Sequence, residues 1–156
     1  MHLHGKDATD KAEGLLGRPL TDAEHHIASL EGYSESPYLD TKDVLTSGFG
    51  QTGRYLRMPF DKVVSIFEDR TRQIVPAYDE LPAFIRLRLL DSTYRGGLSG
   101  SPATLRLINA GDWDGAAVEF LNNDEFIAAV ESGSGVASRM QETSDAMLEM
   151  AIWGRV

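Results

Sequence analysis

The sequence contains no cysteine. Disulfides and thiolate metal sites are thereby excluded, and packing must supply the stability, which suits a reducing compartment. No apolar run approaches the ~20 residues that cross a bilayer, and residues 1–20 lack the apolar centre of a signal peptide. A soluble chain without membrane insertion is expected. Basic residues are scarce, with 15 Lys and Arg against 24 Asp and Glu and a formal net charge of −9. Nucleic acid is a poor partner for such a chain, because phosphate binding depends on neutralisation by Lys and Arg. Internal repeats and low-complexity segments are also missing.

What is present is enough for one core. A chain of 156 residues, 42% of them hydrophobic, predicts a single domain over residues 21–156, preceded by an N-terminal arm over residues 1–20. The arm mixes His, Lys, Asp and Gly with little apolar periodicity and is expected to be loosely held or to form a short helix. His2 and His4 are two ring donors without further ligands, which makes a poor closed site. They read as a solvated terminus, and no metal or other cofactor is expected.

Helical signals begin at Thr21. Thr21, Asp22, Ala23 and Glu24 have the form of a capping box, in which hydroxyl and carboxylate each satisfy a backbone donor. Ala23, Ile27 and Leu30 follow at helical spacing, and Gly32 is expected to close the helix as a left-handed cap just after Glu31. Beyond Pro37 the pattern shortens to a hairpin: Tyr38 and Leu39, a polar turn from Asp40 to Asp43, then residues 44–50. Residues 55–57 are expected to extend it after a turn at residues 51–53. From Pro59 onward the chain reads as helices over residues 59–74, 82–94, 102–110, 113–121, 124–130 and 136–151. The second of these is the expected central core helix, and Gly96 to Gly100 a flexible break.

The chemistry-bearing stretch runs from Glu31 to Gly53. It sets an acid at a helix end, a second acid in a turn and a hydroxyl, Thr46, on a strand. Glycosidic hydrolysis needs a proton delivered to the leaving oxygen by one carboxyl while a second, ionised carboxylate works from the other side. A helix end packed on a core can keep a Glu protonated, and a wetter turn keeps an Asp ionised. Glu31 fits the first role, Asp40 the second, and Thr46 can orient a water beside Asp40. Two acids alone carry no weight in so acidic a chain; the whole string does.

Glu31-Gly32, Asp40-Thr41, Thr46, Gly48 and Gly50 resemble, in type and spacing, the catalytic stretch of the phage-type lysozymes, glycoside hydrolase family 24. A second block, Asn109-Ala110-Gly111-Asp112-Trp113 with Ala116, Ala117, Glu119 and Phe120, is similar to a block of many members. A third, from Gly135 to Arg139, resembles the glycine and arginine of the family's C-terminal helix. The resemblance implies an α+β, mostly helical, lysozyme-like two-lobed fold, with a small β-hairpin lobe over about residues 32–58 and a larger helical lobe. It implies a muramidase that hydrolyses the bond between N-acetylmuramic acid and N-acetylglucosamine in bacterial peptidoglycan with inversion. By matched position Glu31 is the general acid, Asp40 and Thr46 activate the water, and Arg139 pairs with the catalytic Glu. Thr52, Tyr94, Arg95 and Thr104 fall at or beside positions matched to sugar contacts.

Departures from the pattern are local. Gln51 stands where the family has His, which is not the proton donor there, so structure is affected more than chemistry. The connection from Gly53 to Pro59 is short, which predicts a reduced hairpin lobe. Arg95 replaces an amide, and Asp91, four residues earlier, could pair with it on one helix face. Two other readings stay open: a lysozyme-fold structural or wall-binding module without catalysis, and a lytic transglycosylase. A monomer is expected, located in the host cytoplasm before lysis and released through a separate pore, or carried in the virion.

Overall fold

The computed structural model describes residues 1–40 and 42–153; Thr41, part of the Asp40-Thr41 match, lies outside them. The fold is α+β and mostly helical, with a small antiparallel sheet. It divides into two compact units, Met1–Phe67 and Glu68–Val156.

The first unit holds strand β1 (His2–Leu3), helices α1 (Gly5–Leu16) and α2 (Asp22–Glu31), and strands β2 (Tyr33–Leu39), β3 (Leu45–Gly48) and β4 (Gln51–Thr52). The capping box expected at Thr21 is formed: the Glu24 amide donates to the Thr21 hydroxyl at 3.1 Å, and the Thr21 amide donates to the Glu24 carboxylate at 2.9 Å. Such a cap contributes about 1 kcal/mol. Glu24 also receives both Arg18 guanidinium nitrogens at 2.7 Å. That charge-assisted pair, aided by the Thr21 amide and opposed by burial, holds the Glu24 carboxyl below its ordinary range.

Helix α2 ends at Glu31, as its sequence predicts, but Gly32 is not a left-handed cap. Its φ of 71° is joined to a ψ of −172°, because the chain turns straight from the helix into β2 and needs an extended ψ there. Only glycine tolerates this region. A Cβ at Gly32 would also sit 2.7 Å from the Leu3 carbonyl oxygen, since β1 lies directly against this junction.

The expected arm is therefore an ordered part of the unit. β1 pairs antiparallel with β2, His2 opposite Ser34 and Leu3 opposite Tyr33. Helix α1 buries Ala8, Thr9 and Ala12 and packs against α2. The sheet order is β1-β2-β3-β4, with Tyr38 opposite Thr46 and Thr46 opposite Thr52. The third hairpin strand is Gln51–Thr52 rather than residues 55–57, because Gly53–Tyr55 curls into a 3-10 turn. Gln51 causes this: its buried side-chain amide donates to the carbonyls of Tyr55 and Met58, each at 2.8 Å.

Helix α3 (Phe60–Ile74) begins in the first unit and ends in the second, which continues with α4 (Ala83–Tyr94), α5 (Pro102–Asn109), α6 (Trp113–Leu121), α7 (Asp124–Ser132) and α8 (Gly135–Trp153). Ile85 and Leu89 of α4, Ile108 of α5, Ala116, Ala117 and Phe120 of α6, and Met140 and Met147 of α8 form one core. Each fully buried aliphatic side chain there contributes roughly 1.5–3 kcal/mol. The Asn109 to Trp113 block is the corner between α5 and α6: Gly111 takes a φ of 77°, and the Asp112 carboxylate caps α6 by accepting from the Gly115 amide. Among the described residues, no helix is long and apolar enough to cross a membrane.

Candidate active site

The three residues singled out for hydrolysis all belong to the first unit. Glu31 is the last residue of α2 and half-buried. Its carboxyl lies over the β3–β4 turn at Gly50, where a Cβ would come 2.9 Å from the Glu31 carboxyl carbon. Gly50 also has a φ of 70°. Two separate demands, a left-handed backbone and clearance for the carboxyl, therefore select glycine here.

Asp40 closes the β2–β3 hairpin. Its Oδ1 accepts from the amides of Lys42 at 2.8 Å and Val44 at 2.9 Å, while its own amide donates to the Val44 carbonyl. The turn fixes one carboxylate oxygen on the backbone, so Oδ2 is the oxygen left to act. Thr46 sits in the middle of β3 at 5% exposure, and its hydroxyl donates to the Val44 carbonyl at 3.0 Å. With its hydrogen spent on Val44, its oxygen serves as an acceptor. An accepting hydroxyl together with a carboxylate can orient a water by both its hydrogens.

Tyr38 was not marked as functional by the sequence. It faces Thr46 across the strands and lies two residues before Asp40, hence on the same side of β2. Burial, then the negative charges of Glu31 and Asp40, push its phenol up from the ordinary tyrosine value. Both candidate acids thus act on one side chain. The signal was available in the period-two spacing from Asp40, which marks shared strand face.

The glycine turn is braced from behind. Gln51, at 5% exposure, accepts from the Phe49 amide at 3.2 Å while donating to Tyr55 and Met58. It works as a three-way clamp in the place where the resemblance has a histidine. Thr52 is brought beside Thr46 by the sheet register. A cavity of about 490 Å³ opens on the other side of this sheet, among Ala12, Leu16, Ser47, Gln51 and Phe60; Glu31, Asp40 and Thr46 do not line it.

The remaining candidates lie in the second unit. Tyr94 ends α4, and Arg95 follows it. Arg95 meets Glu125 at 3.6 Å and lines a pocket of about 230 Å³ with Gly96, Gly97, Gly100, Ser101 and Asn123. Asp91 does not pair with Arg95; it is buried at 1% exposure and accepts from the Arg139 guanidinium, joining α4 to α8. Thr104 is buried within α5 at 1% exposure. Among the described residues, no group of three or more His, Asp or Glu is placed to hold a metal ion.

No family model and no curated protein matches the sequence. Among solved structures, the chain is similar to the active form of the P1 phage endolysin Lyz, at 13% identity and a TM-score of 0.57, over 96% of this chain and 96% of that one. At this identity the likeness is one of fold, and the protein has a lysozyme-like fold.

Proposed function

We propose that this protein is a peptidoglycan muramidase of the phage-lysozyme type, glycoside hydrolase family 24, acting as an endolysin or a virion-associated lysozyme. Glu31 is the general acid. It protonates the glycosidic oxygen between N-acetylmuramic acid and N-acetylglucosamine, while a water held by Asp40 Oδ2 and Thr46 Oγ1 attacks the anomeric carbon from the opposite face. The product is inverted, and the water's proton passes to Asp40.

The observation that carries the reading is the convergence of three separate elements. The Glu31 carboxyl, at the end of α2, lies against Gly50 in the β3–β4 turn, Thr46 of β3 faces Tyr38 of β2, and Asp40 closes the hairpin between those two strands. Thr52, Tyr94, Arg95 and Thr104 are assigned to substrate, and Arg139 to the charge of Glu31, on the resemblance alone. The P1 phage endolysin adds its fold and its printed name.

Digestion of purified peptidoglycan, with product analysis by mass spectrometry, tests the proposal. Reducing muramic ends are expected, and Glu31→Gln should release them roughly 10²- to 10⁴-fold more slowly. Anhydro ends would make the protein a transglycosylase. No products from the wild type would leave a wall-binding or structural module, and a Glu31→Gln rate equal to wild type would remove Glu31 from its role.

A further inference from the structure

We propose that the far face of the sheet in the first unit is a dimerisation surface: a second copy of this chain packs over the cavity beside α1, related by a two-fold axis that sets Glu35 of one copy against Arg57 of the other. This goes beyond the muramidase reading and does not depend on it, and it replaces the monomer expected from the sequence.

The cavity is open, braced and largely apolar. About 490 Å³ in volume, it is walled by α1, by β2 and β3, and by the segment from Leu56 to Phe60. The Ser47 hydroxyl donates to the Leu56 carbonyl at 2.9 Å, and Gln51 holds the carbonyls of Tyr55 and Met58. These bonds tie the segment to the sheet and keep the hollow formed. Apolar surface continues outside it. Leu45 stands two residues from Ser47, hence on the cavity face of β3, and Leu39 is paired directly opposite Leu45. Leu45, Leu39 and Leu15, the last in the cavity wall, are 47%, 63% and 57% exposed. Three exposed leucines on one side of a small unit, around a preformed hollow, make a patch and not the scattered apolar residues of an ordinary surface.

Charge identifies what covers this patch. Glu35 and Arg57 both line the cavity and both are exposed. Neither has an ion-pair partner among the described residues. An irregularity in β2 brings Glu35 there: between the pairs Ser34–Gly48 and Tyr38–Thr46 the chain advances four residues on β2 but two on β3, and the Ser34 hydroxyl donates to the Ser36 carbonyl at 2.7 Å inside the bulge. A cationic partner would set its own sign against Arg57, and an anionic one would do so against Glu35. An acyl chain would cover the patch and leave both charges unmet. A second copy meets both. Across a two-fold axis residue i contacts j and j contacts i, so these two side chains form two ion pairs while the leucines close over one another between them. The net charge of −9 opposes association at long range but is screened at physiological salt, and the paired signs make the contact itself attractive.

Sedimentation velocity and light scattering on the full chain, from about 1 µM to about 1 mM protein at about 0.15 M salt, test the proposal. A monomer–dimer equilibrium is expected within that range. Leu15→Lys, Glu35→Arg and Arg57→Glu all fall at exposed positions, and circular dichroism checks that each variant is folded. Each should weaken the dimer at least about tenfold. Mixing Glu35→Arg with Arg57→Glu in equal amounts should restore it, because a mixed dimer again sets opposite charges together at both ends. A wild type that stays monomeric at about 1 mM overturns the proposal, and uptake of decanoate by that monomer would make the hollow an acyl-chain site instead. A dimer indifferent to all three substitutions uses another face and overturns it as well, as does a mixture that stays monomeric like its components. None of these readouts involves peptidoglycan, so an inactive enzyme overturns the muramidase reading and leaves the dimer standing.

Discussion

Gly50 and Gly53 lie three residues apart, both with positive φ, of 70° and 53°, yet they meet different surroundings. A Cβ on Gly50 enters the Glu31 carboxyl; one on Gly53 meets nothing within 4 Å. Alanine at either position carries the backbone strain of a left-handed residue, about 1–3 kcal/mol. Only at Gly50 does it also push the proposed general acid, Glu31, aside, and a displacement of an ångström can lower the rate roughly 100-fold. Gly50→Ala and Gly53→Ala should therefore lose similar stability in urea unfolding while only Gly50→Ala loses lysis. Equal loss of activity in both would mean that the turn, and not the clearance for Glu31, is what matters. The same residue scale explains what the sequence left unread. Glu31, Asp40 and Thr46 are proposed from residue type and spacing, whereas the meeting of Arg139 with Asp91, 48 positions away, has no local signal. The helical spacing of Asp91 and Arg95 suggested a local pair, and tertiary packing replaced it with two long-range ones, Arg139 on Asp91 and Glu125 on Arg95.

At the scale of elements, legibility followed the strength of local punctuation. α2 has a capping box and a terminal glycine, and α3 to α8 have proline, asparagine or glycine at their ends together with apolar faces; their expected and observed spans agree within a few residues. α1 was harder to read because the face it buries is Ala8, Thr9 and Ala12, small residues that give little apolar periodicity. β1 is too short to show alternation, and the irregularity between Ser34 and Tyr38 breaks the alternation of β2. The start of α2 also makes a pH prediction. Because Arg18 depresses the folded-state value of Glu24 below its unfolded one, the contribution of this pair is fully present above the ordinary Glu value near 4.5 and is lost as pH falls through the depressed folded value. Arg18→Ala should lower stability at neutral pH, measured by urea unfolding. It should also flatten the acid limb of a stability profile, so that variant and wild type converge once the pH has fallen through the depressed Glu24 value. A constant difference down to the lowest pH would show that Arg18 acts by packing and not through the carboxylate.

For the molecule as a whole, charge is the property that bears most on the proposed substrate. A net charge of −9 faces a wall polymer that is itself anionic, so long-range repulsion opposes encounter even where the cleft chemistry is complete. Salt should relieve it. The screening length falls from about 30 Å at 0.01 M to about 8 Å at 0.15 M, and the rate of wall lysis is expected to rise several-fold across that interval. The rise should appear in kcat/KM, since encounter and not the bond-breaking step is being screened. A soluble, uncharged oligosaccharide of N-acetylglucosamine, compared over the same salt range, should show almost no change. Lysis that instead falls steadily from the lowest salt would mean that a local basic surface, among Arg54, Arg57 and their neighbours, governs docking against the sign of the whole. Turbidity assays on walls and reducing-end assays on the neutral oligosaccharide, run in the same buffers, separate the two outcomes.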